Sequence, residues 1–150
     1  MKPQLTILVV DDISRNRTLL IQQLKHIASS TQSHYIFAEA ESGDDAVFKV
    51  LEKVTNEKTN YDLIFMDFNM PGSGQLLYGN GEESTIAIRA IEKEGQLSPS
   101  KIVTYTSTNP TQPFRGADII LSKPSTLTNL IAILRALKLL SDEHLSTPHK

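Results

Sequence analysis

The strongest constraint on the fold is an alternation. Short apolar runs rich in β-branched residues are each followed, with one exception, by a stretch whose apolar residues recur at helical spacing. The runs are LTILVV at 5–10, YIFAEA at 35–40, LIFM at 63–66, KIVTY at 101–105 and IIL at 119–121. A nearly continuous apolar run of strand length suits a strand buried on both faces, a position offered by a parallel sheet with helices above and below. Right-handed crossovers leave few other topologies, so the chain predicts a doubly wound α/β fold with five parallel strands.

The intervening segments read as follows. After Asp11 and Asp12, Leu20, Leu24 and Ile27 form one helical stripe with Ile21 and Ala28 beside it, and Ser29, Ser30 and Thr31 close the helix. Ser42 to Asp45 is an S-x-x-D arrangement able to cap a helix carrying Ala46, Val47, Val50, Leu51 and Val54. A third helix at 82–94 turns Ala87, Ile88 and Ile91 inward and has acids in its first turn, where the helix dipole favours them. The exception is 109–116, which holds two prolines and is not expected to form a regular helix of ordinary length. A last helix at 126–140 presents Leu127, Leu130, Ile131, Leu134 and Leu137. The expected organisation is one domain over 1–140 and a polar tail over 141–150.

In open α/β sheets ligands gather outside the carboxyl ends of the strands, where strand order reverses. Asp11 and Asp12 follow the first strand, Asp67 the third, Thr106 the fourth and Lys123 the fifth, so all converge on one rim. Three neighbouring carboxylates repel unless a cation neutralises them, and an all-oxygen ligand set suits Mg²⁺ better than a softer metal. Cysteine is absent, which removes thiolate ligands, thiol nucleophiles and disulfides and fits a reducing, cytoplasmic setting. A carboxylate is ionised at neutral pH without a general base, so Asp67 can attack a phosphoryl group directly. Lys123 and the Thr106 hydroxyl would take phosphoryl oxygens, and the product would be an aspartyl phosphate. Taken singly, the acid pair reads as simple turn acids and Lys123 as a solvated surface lysine; the set at matching strand ends favours the chemical reading.

Charge excludes other classes. With 15 Lys and Arg against 17 Asp and Glu there is no basic stripe for nucleic acid. The six-residue apolar run near the N-terminus is too short for a signal-peptide core or a membrane span. The four histidines, His26, His34, His144 and His149, lack ligand spacing and read as surface residues.

The segments LTILVVDD, ESGDDAV, YDLIFMDFNMP, GEESTIAIR, IVTYTS and GADIILSKP together resemble the receiver domain of two-component response regulators along most of the chain. The resemblance implies a flavodoxin-like sheet of order 2-1-3-4-5 and Asp67 as phosphoacceptor. It further implies Asp12 as a direct Mg²⁺ ligand, Asp11 as a ligand through water, and the backbone carbonyl of Asn69 as another. Thr106 would be the switch hydroxyl, Lys123 the phosphoryl-pairing lysine, and the Lys123 to Pro124 bond cis. The donor would be a histidine kinase or a histidine phosphotransfer protein. The chain would catalyse only its own phosphorylation and dephosphorylation, as a monomer or weak dimer. Asn16, Arg17 and the GEEST run are more similar to receivers of hybrid kinases and phosphorelays than to those of transcription factors. Both a stand-alone receiver and the receiver of a larger hybrid kinase fit.

Three places depart from the family pattern. The stretch 73–80 looks like an insertion at the mouth of the site, with Leu76, Leu77 and Tyr78 as a partner contact or a local loop. TNPTQPFR at 108–115 replaces the usual fourth helix, and Ile120 stands where an aromatic rotamer switch is usual. Ser107 adds a hydroxyl where a small alanine is frequent. These departures sustain a rival reading, a receiver-like interaction module that works without phosphate. A third reading is a free metal-dependent phosphohydrolase.

Overall fold

The computed structural model describes residues 4–68, 70, 80–107 and 112–140. In chain order the elements are β1 (Gln4–Val10), α1 (Ser14–Ser30), β2 (His34–Ala40), α2 (Gly43–Glu57) and β3 (Leu63–Asp67). They continue with α3 (Gly81–Glu94), β4 (Lys101–Thr106), β5 (Ile119–Ser122) and α4 (Leu127–Ala136). The five strands form one parallel sheet of order β2-β1-β3-β4-β5, as the alternation and the resemblance lead one to expect. The chain runs outward from β1 to β2 and then crosses to β3 on the other side of β1, so strand order reverses between β1 and β3. Register pairs Val10 with Met66, which sets the following residues, Asp11 and Asp67, side by side at that reversal.

Period-two alternation decides which helices each strand residue meets. Ile7, Val9, Phe65, Val103 and Tyr105 pack with Leu20 and Leu24 of α1 and Leu130 and Leu134 of α4. Leu8, Val10, Ile64, Met66 and Ile102 pack with Ala46 and Val50 of α2 and Ile88 of α3. Burying one such side chain contributes about 1.5–3 kcal/mol, and β3 is buried at every position. The buried stripe of α1 is the predicted one. Leu51, one of the apolar residues that α2 carries, differs from Ala46, Val47 and Val50 in being 46% exposed.

Helix ends show where local sequence misleads. Ser42 caps α2 by accepting the Asp45 N–H, as its motif implies. Asn80, assigned to the insertion, instead caps α3 in a capping box with Glu83. The last helix stops at Ala136 rather than 140. Lys138 adopts a left-handed conformation and the Leu139 N–H bonds back to the Leu134 carbonyl at 2.8 Å, ending the helix without the glycine that usually marks such a turn. Leu137 and Leu140 still reach the core from beyond the helix.

Between β4 and β5 residues 112–118 form no helix, in line with the prolines; 108–111 and the tail lie outside the described residues. Backbone N–H donors fix this segment: the Phe114 N–H donates to the Thr104 side-chain Oγ1 at 3.0 Å and the Asp118 N–H to the Ile102 carbonyl at 2.8 Å. The Lys123–Pro124 peptide is cis.

A polar network at the opposite end of the sheet from the rim escapes any local reading. Glu92, 3% exposed, accepts from the Ser100 N–H (2.8 Å), Ser100 Oγ (2.9 Å), Asn60 Nδ2 (2.7 Å) and Arg89 Nη1 (2.8 Å). Arg89 continues to the Gly116 carbonyl and to Asp118, tying α3 to the segment before β5. Burial alone would raise the Glu92 carboxyl pKa, but the bonds from Ser100, Arg89 and Asn60 outweigh it and hold the carboxyl below its ordinary value. A lowered carboxyl pKa stabilises the fold above the unfolded value of about 4.3, and that contribution disappears as pH falls through the folded value. Glu92→Gln is therefore expected to cost about 2–3 kcal/mol at neutral pH. The gap to wild type should narrow below about pH 4. Urea midpoints of both proteins across that range check it; a gap independent of pH would contradict the ionic role.

Candidate functional site

The rim at the carboxyl ends of β1, β3, β4 and β5 brings together what the sequence separates. Lys123, just past β5, donates from Nζ to Asp11 Oδ2 at 2.7 Å and to Asp67 Oδ1 at 3.0 Å. Asp11 and Asp67 are 0% and 3% exposed, and Asp12 lies open to solvent beside them. Carboxylate oxygens of Asp11, Asp12 and Asp67 all lie within 4.8 Å of one another. Three carboxylates and one ammonium leave a formal charge of −2 in a largely buried pocket, which calls for a small hard cation. The all-oxygen donor set, two buried acids and one open to water, fits Mg²⁺. Asn69, the expected carbonyl ligand, lies outside the described residues.

Each side chain is held from behind. Asp11 Oδ1 accepts from the Ile13 N–H at 2.9 Å and from Asn16 Nδ2 at 3.4 Å, which aims Oδ2 at Lys123. Arg17 donates to the Asp11 carbonyl at 2.6 Å and from Nε to Glu39 at 2.9 Å, fastening the β1 turn to β2. Burial alone would lower the Lys123 pKa, but its hydrogen bonds to Asp11 and Asp67 and their charges outweigh it and hold the ammonium above its ordinary value. Its Nζ also stands 4.8 Å from the centroid of Tyr105. Tyr105 packs edge-on against Phe65, a strand-packing residue with its phenol pKa raised chiefly by burial.

Thr106 is fully buried at the end of β4, and its carbonyl accepts the Lys123 N–H at 2.6 Å, joining β4 and β5 at the rim. Ser107, rather than Thr106, lines the open groove beside Asp67, together with Asp12, Asn16, Gln23 and Lys123. Ile13 and Leu19 line the same groove while 53% and 52% exposed, a feature the sequence reading missed. The available signal was Leu19 itself, an apolar residue off the buried stripe of α1. His26 and His34 are on the surface; His144 and His149 lie outside the described residues.

Comparison with known proteins agrees with this geometry. The response regulator receiver domain family matches residues 7–135. The chain is 34% identical over 134 residues to the transcriptional regulatory protein ResD of Bacillus subtilis, covering 87% of this chain and 47% of ResD, so it spans about half the length of that relative. Among solved structures, the Saccharomyces cerevisiae complex of the histidine phosphotransfer protein Ypd1 with the receiver domain of Ssk1 matches with TM-score 0.67 and 26% identity. That match covers 95% of this chain and 96% of the other. The receiver domain of the putative regulator NarL from Mycobacterium tuberculosis matches in fold, with TM-score 0.63 and 22% identity over 91% of this chain and 98% of the other. The chain belongs to the response regulator receiver family. Its fold and acidic rim are those of a receiver domain of two-component signalling. No helix among the described residues is long and apolar enough to cross a membrane.

Proposed function

We propose that the domain accepts a phosphoryl group on Asp67 from the phosphohistidine of a histidine kinase or histidine phosphotransfer protein, with Mg²⁺ bound at the rim. The observation that carries the reading is the pair of hydrogen bonds that Lys123 donates to Asp11 and Asp67 across the strand-order reversal. An Asp67 carboxylate oxygen attacks phosphorus, the P–N bond to the donor histidine breaks, and the bonding pair leaves on the imidazole, which takes up a proton. Lys123 turns from Asp67 to a phosphoryl oxygen, and the Thr106 hydroxyl takes another. Asp11, Asp12, Asp67 and the carbonyl of Asn69 would hold the metal, which when bound supplies positive charge to offset that of the phosphoryl oxygens.

The exposed pair Ile13 and Leu19 beside the pocket suits docking of a donor protein. The Ssk1 receiver, similar to this chain, is seen with the phosphotransfer protein Ypd1, which supports a partner of that kind here. A monomer or weak dimer working in the cytoplasm, with no nucleic acid bound by this chain, completes the reading.

The test is incubation with acetyl phosphate and Mg²⁺. One base-labile phosphoryl group per chain, mapping to Asp67 in peptide analysis and prevented by a chelator, is the expected result. No adduct under these conditions would leave the phosphate-independent interaction module, and steady turnover of small phosphate esters would indicate a phosphohydrolase.

A further inference from the structure

Away from the rim, α2 and α3 line a second groove of about 550 Å³, with Val47 and Leu51 of α2 and Ile86, Ala87, Ala90 and Ile91 of α3 on its surface. Leu51 is 46% exposed and Ile86 41%, and Phe48, one turn before Leu51 on α2, is 59% exposed. These are three of the seven large apolar side chains exposed among the described residues, and two of them, Leu51 and Ile86, line this groove. Nothing in the sheet requires them there: Val50 and Ile88 already supply the inward faces of the same helices. Two alanines set among larger apolar side chains leave a trough able to admit the ridge of another helix.

The charges say which helix. The charged residues lining the groove are Glu83 at one end, whose carboxylate also accepts the Asn80 N–H in the capping box, and Glu94 at the other, and neither is in an ion pair among the described residues. They stand eleven positions apart on α3. Eleven residues are about three helical turns, or roughly 16 Å, so both acids lie on one side of α3 with the apolar trough between them. A second copy of this chain is a poor occupant, because a two-fold pairing of the groove with itself opposes these acids with no cation among the lining residues.

We propose that the α2–α3 groove receives an amphipathic helix of a partner protein, with an apolar stripe flanked by Lys or Arg three turns apart. The phosphoryl site takes no part in this contact, so the surface works whichever way the chemistry at Asp67 proves.

The probe is a fluorescein-labelled synthetic amphipathic helix of roughly 18 residues, with leucines at helical spacing between lysines eleven positions apart. A sister peptide carries glutamates in place of those lysines. Anisotropy titrations should show the lysine peptide binding about tenfold or more tighter than its sister. Amide-shift mapping should confine the changes to α2 and α3. Leu51→Glu should weaken binding of the lysine peptide about tenfold, and Glu94→Lys should remove its advantage over the sister. Both positions are exposed, and circular dichroism checks that the variants remain folded. Equal binding of the two peptides, shifts elsewhere, or no binding would overturn the proposal. So would a doubling of mass in gel filtration abolished by Leu51→Glu, which would make a second copy the occupant. Binding that appears only after residues 73–79 are deleted would make the chain's own insertion the occupant and overturn it equally.

Discussion

Asp67→Asn is expected to abolish the phosphoryl adduct outright while leaving the fold about as stable as wild type or slightly more so. The amide is no nucleophile toward phosphorus, yet its oxygen can still accept from Lys123 in place of Asp67 Oδ1. The stability side follows from the balance of charges. With an effective dielectric constant of about 20, the attraction across 3.0 Å to Lys123 is roughly 5 kcal/mol. Each repulsion from Asp11 or Asp12, at no more than 4.8 Å, is roughly 3 kcal/mol. The two repulsions together match or exceed the attraction to Lys123, and neutralising a residue only 3% exposed also removes a desolvation penalty. The net effect should lie within about 1 kcal/mol of wild type without metal. Mg²⁺ should raise the urea midpoint of wild type more than that of the variant, because one ligand charge is gone. A variant still phosphorylated at full stoichiometry would place the phosphoacceptor elsewhere.

Gly81→Ala is expected to be severely damaging, costing about 3 kcal/mol or more. A Cβ there would lie 2.2 Å from the backbone carbonyl oxygen of Asp67 and 2.6 Å from the ring of Phe114. Neither neighbour can yield cheaply. The carbonyl belongs to the last residue of β3, a strand buried at every position. The Phe114 ring is 6% exposed and stacks on Phe68 with centroids 5.0 Å apart and planes 2° from parallel. Relief by moving α3 away would therefore disturb the backbone of Asp67 itself, and the rate of adduct formation should fall together with stability. Gly95→Ala is the control: its nearest contact, at 3.2 Å, is to the flexible Leu97 side chain, and Gly95 has ordinary right-handed backbone geometry. That change should shift the urea midpoint little, and equal losses at both positions would refute the close approach at Gly81.

Much of this arrangement could be read from the chain and some could not, and the division is physical. Strand length, burial on both faces and the acid that ends each run are local properties, so the sheet, its parallel sense and the convergence of Asp11, Asp67 and Lys123 on one rim followed from period and position. Helix ends were less legible. Lys138 takes a left-handed conformation normally left to glycine, so the stop after Ala136 had no sequence mark. Asn80 was assigned to a loop because its capping partner Glu83 matters only once α3 is known to begin there. Leu51 followed the helical period but faces out, because a helix packed against a sheet has room inward for only one stripe.

What the sequence determined by itself was the alternation: which residues end the strands, and that Asp11, Asp67 and Lys123 would meet on one rim. What only the tertiary structure decided was how they meet and what else is built around them. Lys123 lies 112 positions from Asp11 and 56 from Asp67, so its choice to bridge both is set by strand order and register. The same holds for Glu92 with Asn60 and for Gly81 against Phe114. It holds also for the trough between α2 and α3, where the exposure of Leu51 and Ile86 depends on how far apart two helices lie on the sheet. Helical and strand periods record which side of an element faces inward; they carry no information about which distant element waits on that side.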